Sequence, residues 1–265
     1  MKAILLALPV MLLVSCSSLT VPGEAPAVGD AAQARALLKA SADAAGDPWR
    51  AYRKVEVSYD GEWGGLVKRL QPDLVDAEFR KSSVEVYDTR RGTVEQLHTG
   101  PGGRKTVKRT RDDVVVAYNG ERIGEDSRRD ASALVADAYT AFLFGTSWLL
   151  RKGEALELVG PEMIDGEICD GVQGRLRPGF GFSEEDRFIA WVGRESRSMR
   201  RLQSTLEGLE STPGAAADVP SSELRKATDG SVWPGRFVEW VHRPVFVKAH
   251  DWTMEGLKVD GRKLK

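Results

Sequence analysis

Cysteine and histidine are scarce in this chain: two cysteines and three histidines in 265 residues. Cys16 lies at the end of an N-terminal apolar run, so Cys169 is the one thiol in the rest of the chain and no internal disulfide framework is expected. Free cysteine is among the most buried residue types, and Cys169 is read as a buried strand residue. Charge of one sign is also lacking. Lys and Arg number 38 against 39 Asp and Glu, a formal net charge of −1. That balance excludes a global field for nucleic acid or anionic lipid. Past the N-terminus no apolar run is read as reaching the ~20 residues that span a bilayer. Internal repeats are absent.

Catalytic motifs are missing as well. Gly145-Thr146-Ser147 and Gly181-Phe182-Ser183 each lack the second glycine of a nucleophile elbow. No glycine loop runs into Lys-Ser or Lys-Thr, and Gly100 to Gly103 reads as a hairpin tip. His242 and His250 on one extended strand would stand about 26 Å apart at ~3.3 Å per residue. Val245-Phe246-Val247-Lys248 has no turn chemistry to fold them together. No metal site, cofactor or catalytic residue is therefore expected. Glu184-Glu185-Asp186 reads as a solvated turn.

What is present begins with Leu13-Val14-Ser15-Cys16. Lys2 supplies a positive start and Ala3 to Val14 an apolar stretch of twelve residues, broken only by Pro9. That length is short for a bilayer and right for a cleaved signal peptide. A small residue, Ser15, before Cys16 resembles the lipobox of bacterial lipoproteins. The resemblance implies cleavage between Ser15 and Cys16, acyl chains such as palmitate on Cys16, and attachment to a membrane through them. One chain anchors marginally, whereas three anchor in effect permanently. Ser17 in place of Asp resembles the outer-membrane sorting pattern, which implies a domain facing the periplasm. Residues 1–15 are thus read as signal, 16–29 as lipidated cysteine and flexible tether, and 30–265 as one domain.

Asp30 caps an expected helix to about Ala45, with Gly46 as its stop. From Lys54 the period changes to two, with Val55, Val57 and Tyr59 on one face. Short strands at 84–87, 93–98, 106–110 and 114–118 form an expected antiparallel meander. Asp130 then caps an apolar helix to about residue 151, whose second half, apolar all round, calls for cover on every side. Strands are expected again at 155–159, 167–176, 187–192, 199–206 and 217–227, and near Phe237 and Phe246. Along 187–193, Phe188, Ala190 and Val192 share one face and Ile189 and Trp191 the other, so both faces need cover or line a cavity.

Seven tryptophans fall mostly in or beside these elements. They pack a core or line an apolar pocket, and the sequence leaves both open. The order of one early helix, antiparallel strands, a mid-chain apolar helix and further strands resembles the LolA/LolB-like outer-membrane lipoprotein carriers and receptors. Gly166 to Asp170, Asp186 to Trp191 and Met199-Arg200-Arg201-Leu202 carry that resemblance best. It implies an α+β fold: a large curved antiparallel sheet, an incomplete β-barrel, with helices in its concave face over a hydrophobic cavity. The function it implies is binding of an acyl chain, lipid or lipoprotein. Phe142, Phe144, Trp148, Leu149, Phe188 and Trp191 are the candidate lining residues. A lipoprotein with a filled core and no ligand, or an enzyme without a recognisable motif, are the alternatives.

Overall fold

The structure, a computed structural model, describes residues 21–208, 214–242 and 246–264. Ser15 and Cys16 lie outside the described residues. In chain order the elements are β1 (Ala27–Gly29), α1 (Ala31–Ala44), α2 (Pro48–Ala51), β2 (Lys54–Trp63), α3 (Gly65–Leu70), α4 (Pro72–Val75) and β3 (Ser82–Asp88). There follow β4 (Thr93–Gly100), β5 (Gly103–Arg109), β6 (Val114–Tyr118), β7 (Glu121–Arg122), α5 (Asp126–Lys152), β8 (Gly153–Ile164) and β9 (Glu167–Leu176). The rest are β10 (Asp186–Gly193), β11 (Met199–Thr205), β12 (Ala216–Ser222), β13 (Arg225–Lys226), β14 (Val232–Trp233), β15 (Arg236–Val241), β16 (Val247–Val259) and β17 (Arg262–Lys263).

Most strands belong to one antiparallel sheet, in the order β1-β8-β9-β10-β11-β12-β15-β16-β2-β3-β4-β5-β6-β7, with β17 beside β16 and β13–β14 a separate pair. The pairing of β16 with β2, from His250↔Trp63 to Val259↔Val55, joins the last long strand to the first. The sheet does not close on itself. It curls around α5, which packs against β5 and β6 on one side and β11 on the other. This is the α+β, incomplete-barrel architecture expected above.

Local chemistry sets the ends of these elements. α1 starts in a capping box: Asp30 accepts from the Gln33 amide at 2.9 Å while the Gln33 side chain accepts from the Asp30 amide at 3.0 Å. Gly46, at φ +82°, turns the chain out of the helix. On β2, Val55, Val57 and Tyr59 face inward, as period two requires.

α5 starts a turn earlier than Asp130, at Asp126, and its N-cap Glu125 makes no side-chain capping bond. Ion pairs take the place of a cap. Arg128 reaches Glu125 and Asp73, and Arg129 reaches Asp126 and Asp113. By length and composition α5 is apolar enough to cross a membrane, unlike the sequence reading, but here the sheet and α1 bury it. At Gly145 (φ 51°, ψ −130°) its backbone leaves the helical region. Beyond that break Thr146 donates to Ser41 at 3.0 Å, and Ser147 accepts the Trp49 amide at 3.0 Å and donates to Asp47. The break thus fastens α5 to the α1–α2 corner. A side chain at this φ is strained, and a Cβ would sit 3.1 Å from the Met199 methyl. Gly145→Ala is expected to lower stability by roughly 1–3 kcal/mol in a urea titration.

Four further readings need correction. The tether read over 16–29 is ordered in its last part: β1 pairs with β8, and Gln173 donates to the Ala25 carbonyl at 3.1 Å. The strand read over 217–227 ends at Ser222, because Glu223 turns at φ 52°. Asp186 is no solvated turn residue. It is fully buried at the start of β10 and accepts from the Phe180 amide (2.8 Å), the Thr205 hydroxyl (2.7 Å) and the Glu207 amide (3.0 Å). β15 and β16 do form a hairpin, with Glu239 opposite His250 and Val241 opposite Val247. The reversal therefore lies between Val241 and Val247, where residues 243–245 are outside the described residues.

Candidate functional site: an apolar cavity under a two-helix cover

The six residues proposed from the sequence are all buried. Phe142, Phe144, Trp148, Leu149 and Phe188 belong to the main core, where Phe144 meets Trp49 edge-on and Trp148 stacks on Phe180. Phe142 and Phe144 border a hollow of only about 40 Å³. Trp191 lies on the other face of the sheet with Ile189, Val159, Ile164 and Cys169, and Ala25 packs over that cluster. Burial pushes the Cys169 thiol up to about 11. That N-terminal cover explains why β10 is apolar on both faces.

None of the six lines the main apolar cavity. That cavity, of about 200 Å³, lies between the α3–α4 segment, one face of α5 and the β15–β16 hairpin. Val67, Leu70 and Leu74 come from the cover; Leu134, Val135, Ala138 and Tyr139 come from α5; Val241, Val247 and Ala249 come from the hairpin. The α5 residues fall one turn apart in pairs, so helical periodicity aims them together. The cover is small and partly exposed, with Leu66 at 46% and Leu70 at 51% of full exposure. Phe246, beside Val247, is 62% exposed.

A polar pair stands in the wall: Nε2 of buried His250 and Oε2 of part-buried Glu239 lie 2.6 Å apart. Burial lowers the His250 pKa, and Glu239 opposes that without reversing it. Behind the cavity Arg80, itself buried, ties the cover to the core. It donates to the Leu74 carbonyl at 2.6 Å and to the Tyr139 hydroxyl at 2.8 Å. Its guanidinium lies 4.5 Å from the Trp63 ring centre, and Trp63 Nε1 donates to the Arg80 carbonyl at 2.9 Å.

A polar row extends from there across the inner face of the sheet, Tyr59↔Ser83↔His98↔Lys105↔Tyr118. Lys105 Nζ donates to Asp76 at 2.7 Å, yet burial still draws its pKa down to about 8. Sequence reading missed this row, although strand parity carried the signal. Ser83 and Glu85 alternate in step with inward Tyr87, and Gln96 and His98 with inward Val94.

Burial, then Arg80 and Lys105, hold His98 well below its ordinary value, and His250 is lowered too. Both groups are neutral in the fold and must charge on unfolding in acid. Their contribution is fully present above the unfolded value of about 6.5 and falls as pH drops below it, by about 1.4 kcal/mol per unit for each at most. Glu85, whose pKa burial raises, acts in the opposite sense at lower pH. The measurement is therefore a difference. The loss of urea stability from pH 7 to pH 5 is expected to be smaller in His98→Gln than in the parent chain.

No protein-family model matches the sequence, and no curated protein matches it significantly. Among solved structures, a LolA-superfamily protein from Nitrosomonas europaea superposes with a TM-score of 0.51 at 11% identity, over 85% of this chain and 93% of that one. A domain named for outer-membrane lipoprotein sorting, from Vibrio parahaemolyticus, gives 0.47 at 10% identity, over 86% and 93%. The first likeness shows the fold, an open LolA-like barrel, and at that identity it shows nothing more.

Proposed function

We propose that the chain is a non-enzymatic, lipid-anchored protein on the periplasmic side of the bacterial outer membrane, which receives an acyl group of a lipid or lipoprotein in the cavity beneath α3 and α4. Acylated Cys16 is its anchor, and residues 30–265 form one domain. The carrying observation is the cavity: mostly apolar, and roofed by two short helices that Arg80 ties to α5 through Leu74 and Tyr139, while Lys105 and Ser127 hold Asp76 and Asp73. Its volume of about 200 Å³ is somewhat larger than the ~150 Å³ apolar cavities that take up benzene. It accepts the end of an acyl chain as it stands, and a whole chain once the cover moves. Each buried methylene contributes about 0.8 kcal/mol, so six give about 5 kcal/mol toward binding. Leu70, which lines the cavity, and Leu66 on the same helix are exposed and offer apolar contact to an incoming chain.

The test is titration of the full chain, in a neutral detergent, with an acyl chain bearing an environment-sensitive fluorophore. Saturable, blue-shifted emission displaced by unlabelled fatty acid is expected. Emission that follows only the detergent would count against the reading. The competing view, a lipoprotein with a filled core, draws on the close packing around Trp148; it expects no saturation.

A further inference from the structure

On the opposite side of α5 lies a second cleft, of about 180 Å³, that shares no lining residue with the apolar cavity. Five cations border it: Arg91 from the β3–β4 turn, Arg109 and Arg111 from the end of β5 and the turn after it, Lys152 from the last turn of α5, and Arg177 from the loop after β9. Asp137 is the one carboxylate among the lining residues. It is already engaged, since Arg109 Nη2 reaches it at 2.9 Å and the Gly181 amide at 2.9 Å. Arg177 Nε donates to Glu185 at 2.6 Å.

Arg91 and Arg111 are held weakly. Asp88 and Asp112 stand 3.9 and 3.8 Å away, with the arginine side chains 75% and 81% exposed. Such pairs contribute little. Arg91, Arg111 and Lys152 can therefore turn toward an incoming anion, while Arg109 stays fixed by Asp137. Trp49 and Trp148 give the cleft an aromatic wall. Five cations gathered in a chain of net charge −1 make a local field that the composition does not show.

We propose that this cleft is a binding site for a phosphate group, either free phosphate or the phosphate of a lipid headgroup. Guanidinium forks match phosphate oxygens in pairs. A phosphomonoester carries up to two charges and three free oxygens, enough for donors arriving from separate elements. A carboxylate would occupy one fork and leave the others unused. The inference does not depend on the apolar cavity holding lipid.

The tryptophans supply the readout. The full chain in neutral detergent is titrated with inorganic phosphate, and separately with short-chain phosphatidic acid below its micellar concentration. Short-chain diacylglycerol and chloride of equal ionic strength are the controls. A saturable change in tryptophan emission is expected, weakened about tenfold or more in the doubly substituted Arg111→Glu, Lys152→Glu chain through loss of two charge-assisted contacts. Both side chains are on the surface, so the urea midpoint should hold; Lys152→Gln alone should give a smaller loss in the same direction. Saturation by inorganic phosphate identifies the free anion as a ligand. Saturation by phosphatidic acid alone, lost in the double variant, identifies the headgroup. A signal matched by chloride or diacylglycerol, or unchanged in the double variant, would overturn the proposal.

Discussion

Replacing Arg80 with alanine is expected to lower stability by a few kcal/mol, since each buried acceptor left without its donor costs about 1–3 kcal/mol and two are left. The guanidinium holds two elements at once, the α4 carbonyl of Leu74 and the α5 hydroxyl of Tyr139, and lies on the Trp63 ring. Alanine leaves both acceptors without that donor and opens a void beside Tyr139. Arg80→Lys is not expected to restore the wild type, because a single ammonium cannot fork to two separated acceptors. Amide exchange should quicken most over residues 65–76, the cover, in a chain that stays folded. Equal stability, or unchanged exchange in the cover, would show that Arg80 does not hold it.

The second large effect is on binding. Ala138 lines the cavity from α5, next to Tyr139. Ala138→Phe places a benzyl group into a space of about 200 Å³, so acyl-probe affinity should fall at least tenfold, or about 1.4 kcal/mol. Overpacking normally costs roughly 1–3 kcal/mol in a filled core. Here room exists, and the urea midpoint should move little. Undiminished probe binding would put the ligand elsewhere, with the cationic cleft across α5 as the site to examine.

Much of the scaffold was legible in the sequence because it rests on local signals. The Asp30–Gln33 box, the two-residue period from Lys54 and the apolar stripe of α5 each act over a few residues. The double-faced apolarity of 187–193 left open cover on both sides or a lined cavity, and the structure has cover on the Trp191 face from residues near Ala25, far away in sequence.

The cavity was not legible, for a physical reason. Large aromatics such as Phe142 and Trp148 look like pocket linings, but their volume is what fills a core. Open space remains where smaller residues, Ala138, Val135 and Ala249, face the α3–α4 cover. Arg80 gave no signal, since it sits outside any strand or helix and its partners are 6 and 59 residues away. The row from Tyr59 to Tyr118 was hidden because polar residues on strands are ordinarily assigned to the solvent face. Parity, followed strictly through Glu85 and His98, puts them inside.

Native mass spectrometry of the full chain, extracted from membranes in neutral detergent, tests the central claim most directly. An additional mass that matches an acyl-bearing molecule, present in the parent chain and lost in Ala138→Phe, is the expected result. Identical spectra without any such mass, from parent and variant alike, would contradict the cavity as a lipid site.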